Sequence, residues 1–153
     1  MVAQWVEDPA LRQRHSFSRS TDPDGGAVLH VESWVDPGGG VPPHVHPAME
    51  ERFEVISGEL SLLSRRKWHT AQPGETVVVP AGTRHAYRND GTEVAHGVCR
   101  ATPPQTLQEF LEEAAAMARA GKLTRYGVPK PGGVLQALRL AVRHRKMVVM
   151  RPV

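Results

Sequence analysis

An all-β antiparallel fold with a helical C-terminal extension is predicted by three observations. Gly 14 and Pro 13 are high for 153 residues while aromatic residues are only 5%, which suits short strands joined by tight turns better than a helix bundle. Residues 12 to 101 alternate apolar and polar positions between turn signals, the pattern of half-buried strands. After Thr102-Pro103-Pro104 the apolar period lengthens to that of a helix. The domain reading follows: residues 1–103 form the β-barrel with an N-terminal arm and hairpin, and 104–153 form a helical, basic extension packed on it as part of one domain.

Taken in order, residues 1–11 read as an arm with Trp5 and Val6 as anchors, and residues 12–20 as a strand. Thr21-Asp-Pro-Asp-Gly-Gly26 is a turn into a second strand over 27–35. This hairpin carries little apolar weight, which places it at a sheet edge where a second copy could pair with it, so a homodimer is expected. Further strands are expected at 50–57, 59–65, 67–71, 75–79, 84–89 and 93–101, with Ser57-Gly58 and Asp90-Gly91 as hairpin turns and Arg65-Arg66-Lys67 as a solvated basic tip. Leu107, Phe110, Leu111, Ala114 and Ala118 form one helical stripe over 106–120, with Thr106 and Glu109 spaced as a capping box and Gly121 as the stop. Beyond a linker at 122–131, Leu135, Leu138 and Val142 point to a second helix with Arg139, Arg143 and Lys146 on its other face. Met147-Val-Val-Met150 reads as a closing strand or packing segment.

The chemistry is concentrated in two stretches. His44 and His46 are two residues apart, so on an extended strand both imidazoles project to the same side, at a spacing a shared cation can bridge. Pro47 interrupts that strand and lets the chain return with a carboxylate. Glu51 is the better candidate than Glu50, because it shares a face with Phe53 and Val55, whereas Glu50 falls in with Arg52 and Glu54. In the second stretch a β-branched run, Thr76 to Val79, meets a stiff Pro80-Ala81-Gly82 turn and leaves with His85, the fourth ligand candidate.

Gly38, five residues, His44-x-His46, four residues, Glu51, six residues and Gly58 resemble the first cupin motif. Gly74, five residues, Pro80-x-Gly82, two residues, His85, three residues and Asn89 resemble the second. The resemblance implies a small antiparallel jelly-roll barrel whose mouth holds one divalent transition metal on His44, His46, Glu51 and His85. Three imidazoles and a carboxylate leave two positions of an octahedral ion open to water, substrate or dioxygen, whereas closed structural zinc sites use cysteine-rich sets. Zn(II), Ni(II), Co(II) and Cu(II) accept the same donors, and the resemblance favours Fe(II) or Mn(II). Strand parity with the ligands puts Phe53, Val55 and Tyr87 toward the space above the metal, with Tyr87 as a hydrogen-bond donor to substrate; Trp34 and His96 are further pocket candidates. His15, His69 and His144 read as surface histidines, and Cys99 as a small buried hydrophobe.

Cys99 is the single cysteine, so no internal disulfide can form, and the N-terminus lacks the basic start and apolar run of a secretion signal. No segment reaches the roughly 18 apolar residues of a membrane span, and a cytoplasmic location is expected. Residues 119–153 hold nine Lys or Arg and no acid, against ten basic and sixteen acidic residues over 1–118. No nucleic-acid-binding pattern accompanies this tail, so its expected counterpart is an acidic patch of its own barrel or of a partner subunit. The expected function is that of a metal-dependent enzyme, a dioxygenase or an isomerase or cyclase, acting on a small oxygen-rich molecule. The alternatives are a non-catalytic barrel that binds or senses a small molecule or metal, and an accessory subunit.

Overall fold

The computed structural model describes residues 4–151, so the first three residues of the predicted arm lie outside the described residues. The elements are β1 (Val6–Asp8), β2 (Gln13–Thr21), β3 (Ala27–Val35), β4 (Gly40–Val45), β5 (Glu50–Ser57), β6 (Leu60–Ser64), β7 (Lys67–Ala71), β8 (Thr76–Val79), β9 (His85–Arg88), β10 (Ala95–Thr102), α1 (Leu107–Arg119), α2 (Val134–Arg143) and β11 (Val149–Met150). The strands form two antiparallel sheets, one ordered β1-β2-β3-β10-β5-β8 and the other β11-β4-β9-β6-β7. This is the jelly-roll architecture: an all-β antiparallel barrel followed by helices.

Alternation in the strands builds the core between the sheets. In β3, Leu29, Val31 and Val35 are buried; in β5, Glu51, Phe53 and Val55; in β10, Ala95, Cys99 and Ala101. Leu60 and Leu62 of β6 meet them from the other sheet in a single apolar cluster. Glycine is required where two strands approach closely. At Gly40, with φ +151°, an added Cβ would stand 2.2 Å from the carbonyl oxygen of Tyr87 on the neighbouring strand.

The opening hairpin lies at one edge of the six-stranded sheet, as expected. Part of the arm, β1, pairs with β2 from Val6↔His15 to Asp8↔Gln13, and β3 is internal, paired along its length with β10. β1 covers the start of β2, and from Ser16 to Thr21 the outer edge of β2 has no strand beside it among the described residues.

The helices differ. α1 buries Leu107, Ala115, Met117 and Ala118, and Phe110 and Leu111 reach the core cluster. Its expected capping box does not form: the Thr106 hydroxyl has no helix partner and lies 2.7 Å from Nδ1 of His144. α2 buries none of its residues. Leu135, Leu138 and Val142, the stripe that marks it as a helix, are each about 60% exposed. It is held at its C-terminal end, where His144 is buried between Thr106 and Glu113 and stacks edge-on against Phe110 and Arg143 pairs with Glu113 at 3.0 Å, and near its start, where Gln136 accepts from Lys122 Nζ at 2.7 Å. The chain then returns as β11 and pairs with β4, Val149 with Val45 and Met150 with His44. No helix among the described residues is long and apolar enough to cross a membrane.

Candidate metal centre

β4 brings His44 and His46 to one side of the barrel mouth, β9 brings His85, and Glu51 reaches over from β5 in the opposite sheet. One donor atom from each of the four lies within 4.8 Å of all the others. The imidazole centroids are 4.8 Å apart for His44 and His46, 4.2 Å for His44 and His85, and 5.2 Å for His46 and His85. Glu51 faces His85 Nε2 at 2.7 Å and His46 Nε2 at 3.5 Å. His46, Glu51 and His85 are buried, and His44 is half-buried.

The second shell determines what these rings offer. Nδ1 of His44 lies 2.8 Å from the Pro42 carbonyl, Nδ1 of His46 2.8 Å from the Met147 carbonyl, and Nδ1 of His85 2.9 Å from the Thr83 carbonyl. A carbonyl oxygen only accepts, so each Nδ1 must carry a proton and donate it; every Nε2 is thereby turned inward, and that of His85 is hydrogen-bonded to the Glu51 carboxylate at 2.7 Å. Three Nε2 atoms and a carboxylate therefore converge on one point, where a cation can take the place of the proton shared between His85 and Glu51. The donor set fits a divalent transition ion.

The electrostatics agree. Burial pushes the His44 pKa down to about 3, and the neighbouring His85 and His46 push the same way. His46 is also lowered, again chiefly by burial. Burial raises the Glu51 carboxyl, but the His85 hydrogen bond and the charge-favouring imidazoles outweigh it and bring the pKa down to about 2. Neutral His44 and His46 beside an ionised Glu51 are in the protonation states that metal ligation requires.

A cavity of about 500 Å³ opens above this cluster, with His44, His46, Glu51, Phe53 and Tyr87 on its floor and walls. The Tyr87 phenol donates to Oε1 of Gln13 at 2.6 Å, and burial pushes its pKa far above the usual tyrosine value, so it is a donor and never a phenolate. Val55 is corrected: it is buried in the core cluster, off the cavity wall. Trp34 and His96 are corrected as well. Ser33 and Val35, and Ala95 and Gly97, take the inward positions, so Trp34 and His96 project from the outer face of the sheet, stacked on each other at 4.2 Å. Trp5 packs edge-on against Trp34, and His96 bonds Glu32.

The wall holds polar groups that sequence reasoning missed. His15, read as a surface residue, is only 2% exposed, lines the cavity and bonds Ser33 Oγ at 2.7 Å; burial lowers its pKa to about 4. His144, read the same way, is also buried, whereas His69 is exposed and paired with Glu75. Gln13 is buried, with its amide nitrogen unpartnered. For His15 the available signal was parity with Gln13 and Phe17 in a strand whose alternate residues, Arg14 and Ser16, are polar.

A model of the cupin domain matches residues 32–99, which span every ligand candidate. Oxalate oxidase 1 of Hordeum vulgare is 36% identical over 103 residues, covering 52% of this chain and 51% of that protein, so the chain spans about half the length of the curated relative it matches. Among solved structures, KdgF from Halomonas sp. is similar with a TM-score of 0.59 at 18% identity, covering 69% of this chain and 90% of that one. The polyketide cyclase RemF from Streptomyces resistomycificus gives 0.53 at 23% identity, over 67% and 75%. These likenesses show a shared fold. The jelly roll, the two spaced motifs and the domain match agree that residues 32–99 form a cupin domain.

Proposed function

We propose that the protein is a metal-dependent cupin enzyme that binds one divalent transition ion, Fe(II) or Mn(II) by preference, on His44, His46, Glu51 and His85, and acts on a small molecule that approaches through its oxygen atoms. One observation carries this reading: all three imidazoles have Nδ1 hydrogen-bonded to a backbone carbonyl, so every Nε2 is turned to the same point beside Glu51. A bound ion supplies Lewis acidity there and, as Fe(II) or Mn(II), access to oxidative chemistry.

The chain's own residues do the rest. The carbonyls of Pro42, Thr83 and Met147 hold the rings in one tautomer and one orientation. The Tyr87 phenol, kept protonated by burial, donates a hydrogen bond at the wall of the cavity. His15 on the same wall is neutral at physiological pH. A dioxygenase is favoured over an isomerase or cyclase. The similar oxalate oxidase is named for an oxidative reaction, and the carboxylate at the centre is committed to ligation rather than to proton abstraction.

Two measurements test this. Metal analysis of purified protein is expected to find about one ion per chain, and His44→Ala is expected to lower affinity by more than the roughly 100-fold that a lost second-shell partner costs, with the far-ultraviolet circular dichroism unchanged. Oxygen uptake by the Fe(II) form in the presence of oxalate, catechols, flavonoids, thiols or diketones supports the dioxygenase. Silence across that panel, with metal bound, favours an isomerase, a cyclase or a binding barrel.

A further inference from the structure

The cavity is far larger than its polar floor requires. Beyond His44, His46 and Glu51 it runs between the helices, past Phe110, Leu111 and Met117 of α1 and Ala137, Leu138 and Leu140 of α2. Four residues of its lining carry a formal charge at neutral pH. Glu51 belongs to the floor, and Asp8 accepts the amides of Ala10 and Leu11. Glu54 and Arg145 are exposed, with Arg145 donating to the Val142 carbonyl. The stretch between the helices therefore offers a ligand almost no hydrogen-bond partner, although Leu138 there is 59% exposed to water. A polyhydroxylated molecule in that stretch would leave each hydroxyl desolvated and unpaired, at about 1–3 kcal/mol apiece, whereas a hydrocarbon covers both itself and the exposed leucine.

The floor calls for the opposite chemistry. A divalent ion on one carboxylate and three neutral imidazoles keeps a net positive charge, which attracts an anionic oxygen. We propose that the cavity takes an amphipathic ligand, with a carboxylate or enolate oxygen at the His44, His46 and Glu51 floor and an apolar body of about ten carbon atoms lying between α1 and α2. The length follows from the volume: about 500 Å³ at roughly 30 Å³ per water-sized group accommodates on the order of fifteen non-hydrogen atoms, head included. This inference rests on the metal-centre reading for the head of the ligand and is independent of it for the body.

The test is calorimetric titration of straight-chain carboxylates, from acetate to dodecanoate, into Zn(II)-loaded protein and into protein stripped with a chelator. The expected result is saturable binding at one per chain, with affinity rising about three- to fourfold per added methylene until about ten carbons and then levelling, in both forms, the Zn(II) form being the tighter throughout. Leu138→Arg, at a position open enough to tolerate the change, is expected to flatten the chain-length dependence without altering zinc content. Affinity that stays constant along the series overturns the proposal, as does gluconate binding as tightly as octanoate, or a chain-length dependence that survives Leu138→Arg. A rising series in protein that takes up no zinc upholds the apolar body and overturns the metal-centre reading instead; a flat series in protein that holds its zinc does the reverse.

Discussion

At the floor of the cavity His46, Glu51 and His85 are buried and each imidazole is gripped by a backbone carbonyl, whereas along the roof α2 buries none of its residues and is pinned at one end by His144. The two regions are made by different physics. The floor is a converging polar site within a stiff sheet, where each donor's direction is set by the backbone beside it. The roof is a helix with leucines turned toward space, whose position is left open by few contacts. A rigid chelating end and an adaptable apolar end are what a single ligand of mixed character needs.

That contrast can be broken or sharpened by mutation. The largest effect is expected at the floor. Gly40→Ala forces a Cβ to 2.2 Å from the Tyr87 carbonyl oxygen, at a φ of +151°, and should destabilise the protein by at least about 3 kcal/mol in urea unfolding while weakening metal retention. A loss below about 1 kcal/mol would mean that β4 and β9 can separate, and that the floor is not rigid.

Next comes the wall. His15 has a folded pKa of about 4 against an ordinary value of 6.5, because burial disfavours its charged form. The unfolded chain therefore takes up the proton first, and stability present above pH 6.5 is lost as pH falls toward 4. The gap, at about 1.4 kcal/mol per pH unit, amounts to roughly 3 kcal/mol. His15→Gln should flatten the difference in unfolding free energy between pH 7 and pH 4.5 relative to the parent, measured with metal bound to both. An unchanged slope would place the acid sensitivity elsewhere.

The roof should respond less. His144→Ala removes the bonds to Thr106 and Glu113 from a buried ring and is expected to lower stability by about 2 kcal/mol, with faster amide exchange confined to α2 and β11. Leu135→Gln, at a position 62% exposed, should change stability by no more than about 0.5 kcal/mol. A larger loss there would show α2 packed more tightly than its exposure indicates.

The floor was legible in the sequence because its information is local. His44 lies on β4 and His46 one residue past its end, Glu51 follows after the break at Pro47, and His85 leaves a stiff turn, so period and turn chemistry suffice to bring them toward one mouth. The strands of the second half were legible for the same reason, each being bounded by its own turn. What could not be read depended on partners far along the chain. Trp34 and His96 needed a register, and the pairing of β10 with β5 shifts between His96 and Gly97. His15 and His144 are buried by contacts with Ser33, Thr106 and Glu113, none of which is their neighbour in sequence. The stripe of Leu135, Leu138 and Val142 identified a helix but not what it covers, because amphipathicity gives a direction and not an occupant.

The bond from His46 to the Met147 carbonyl joins residues 101 positions apart. A chain still leaving the ribosome can complete both motifs and close most of the barrel while either nitrogen of His46 remains free to hold the proton. Commitment of that ring must wait until the segment around Met147 has been made and has zipped onto β4. The geometry of the candidate centre is thus completed by a segment beyond both motifs rather than by the part that carries the ligands.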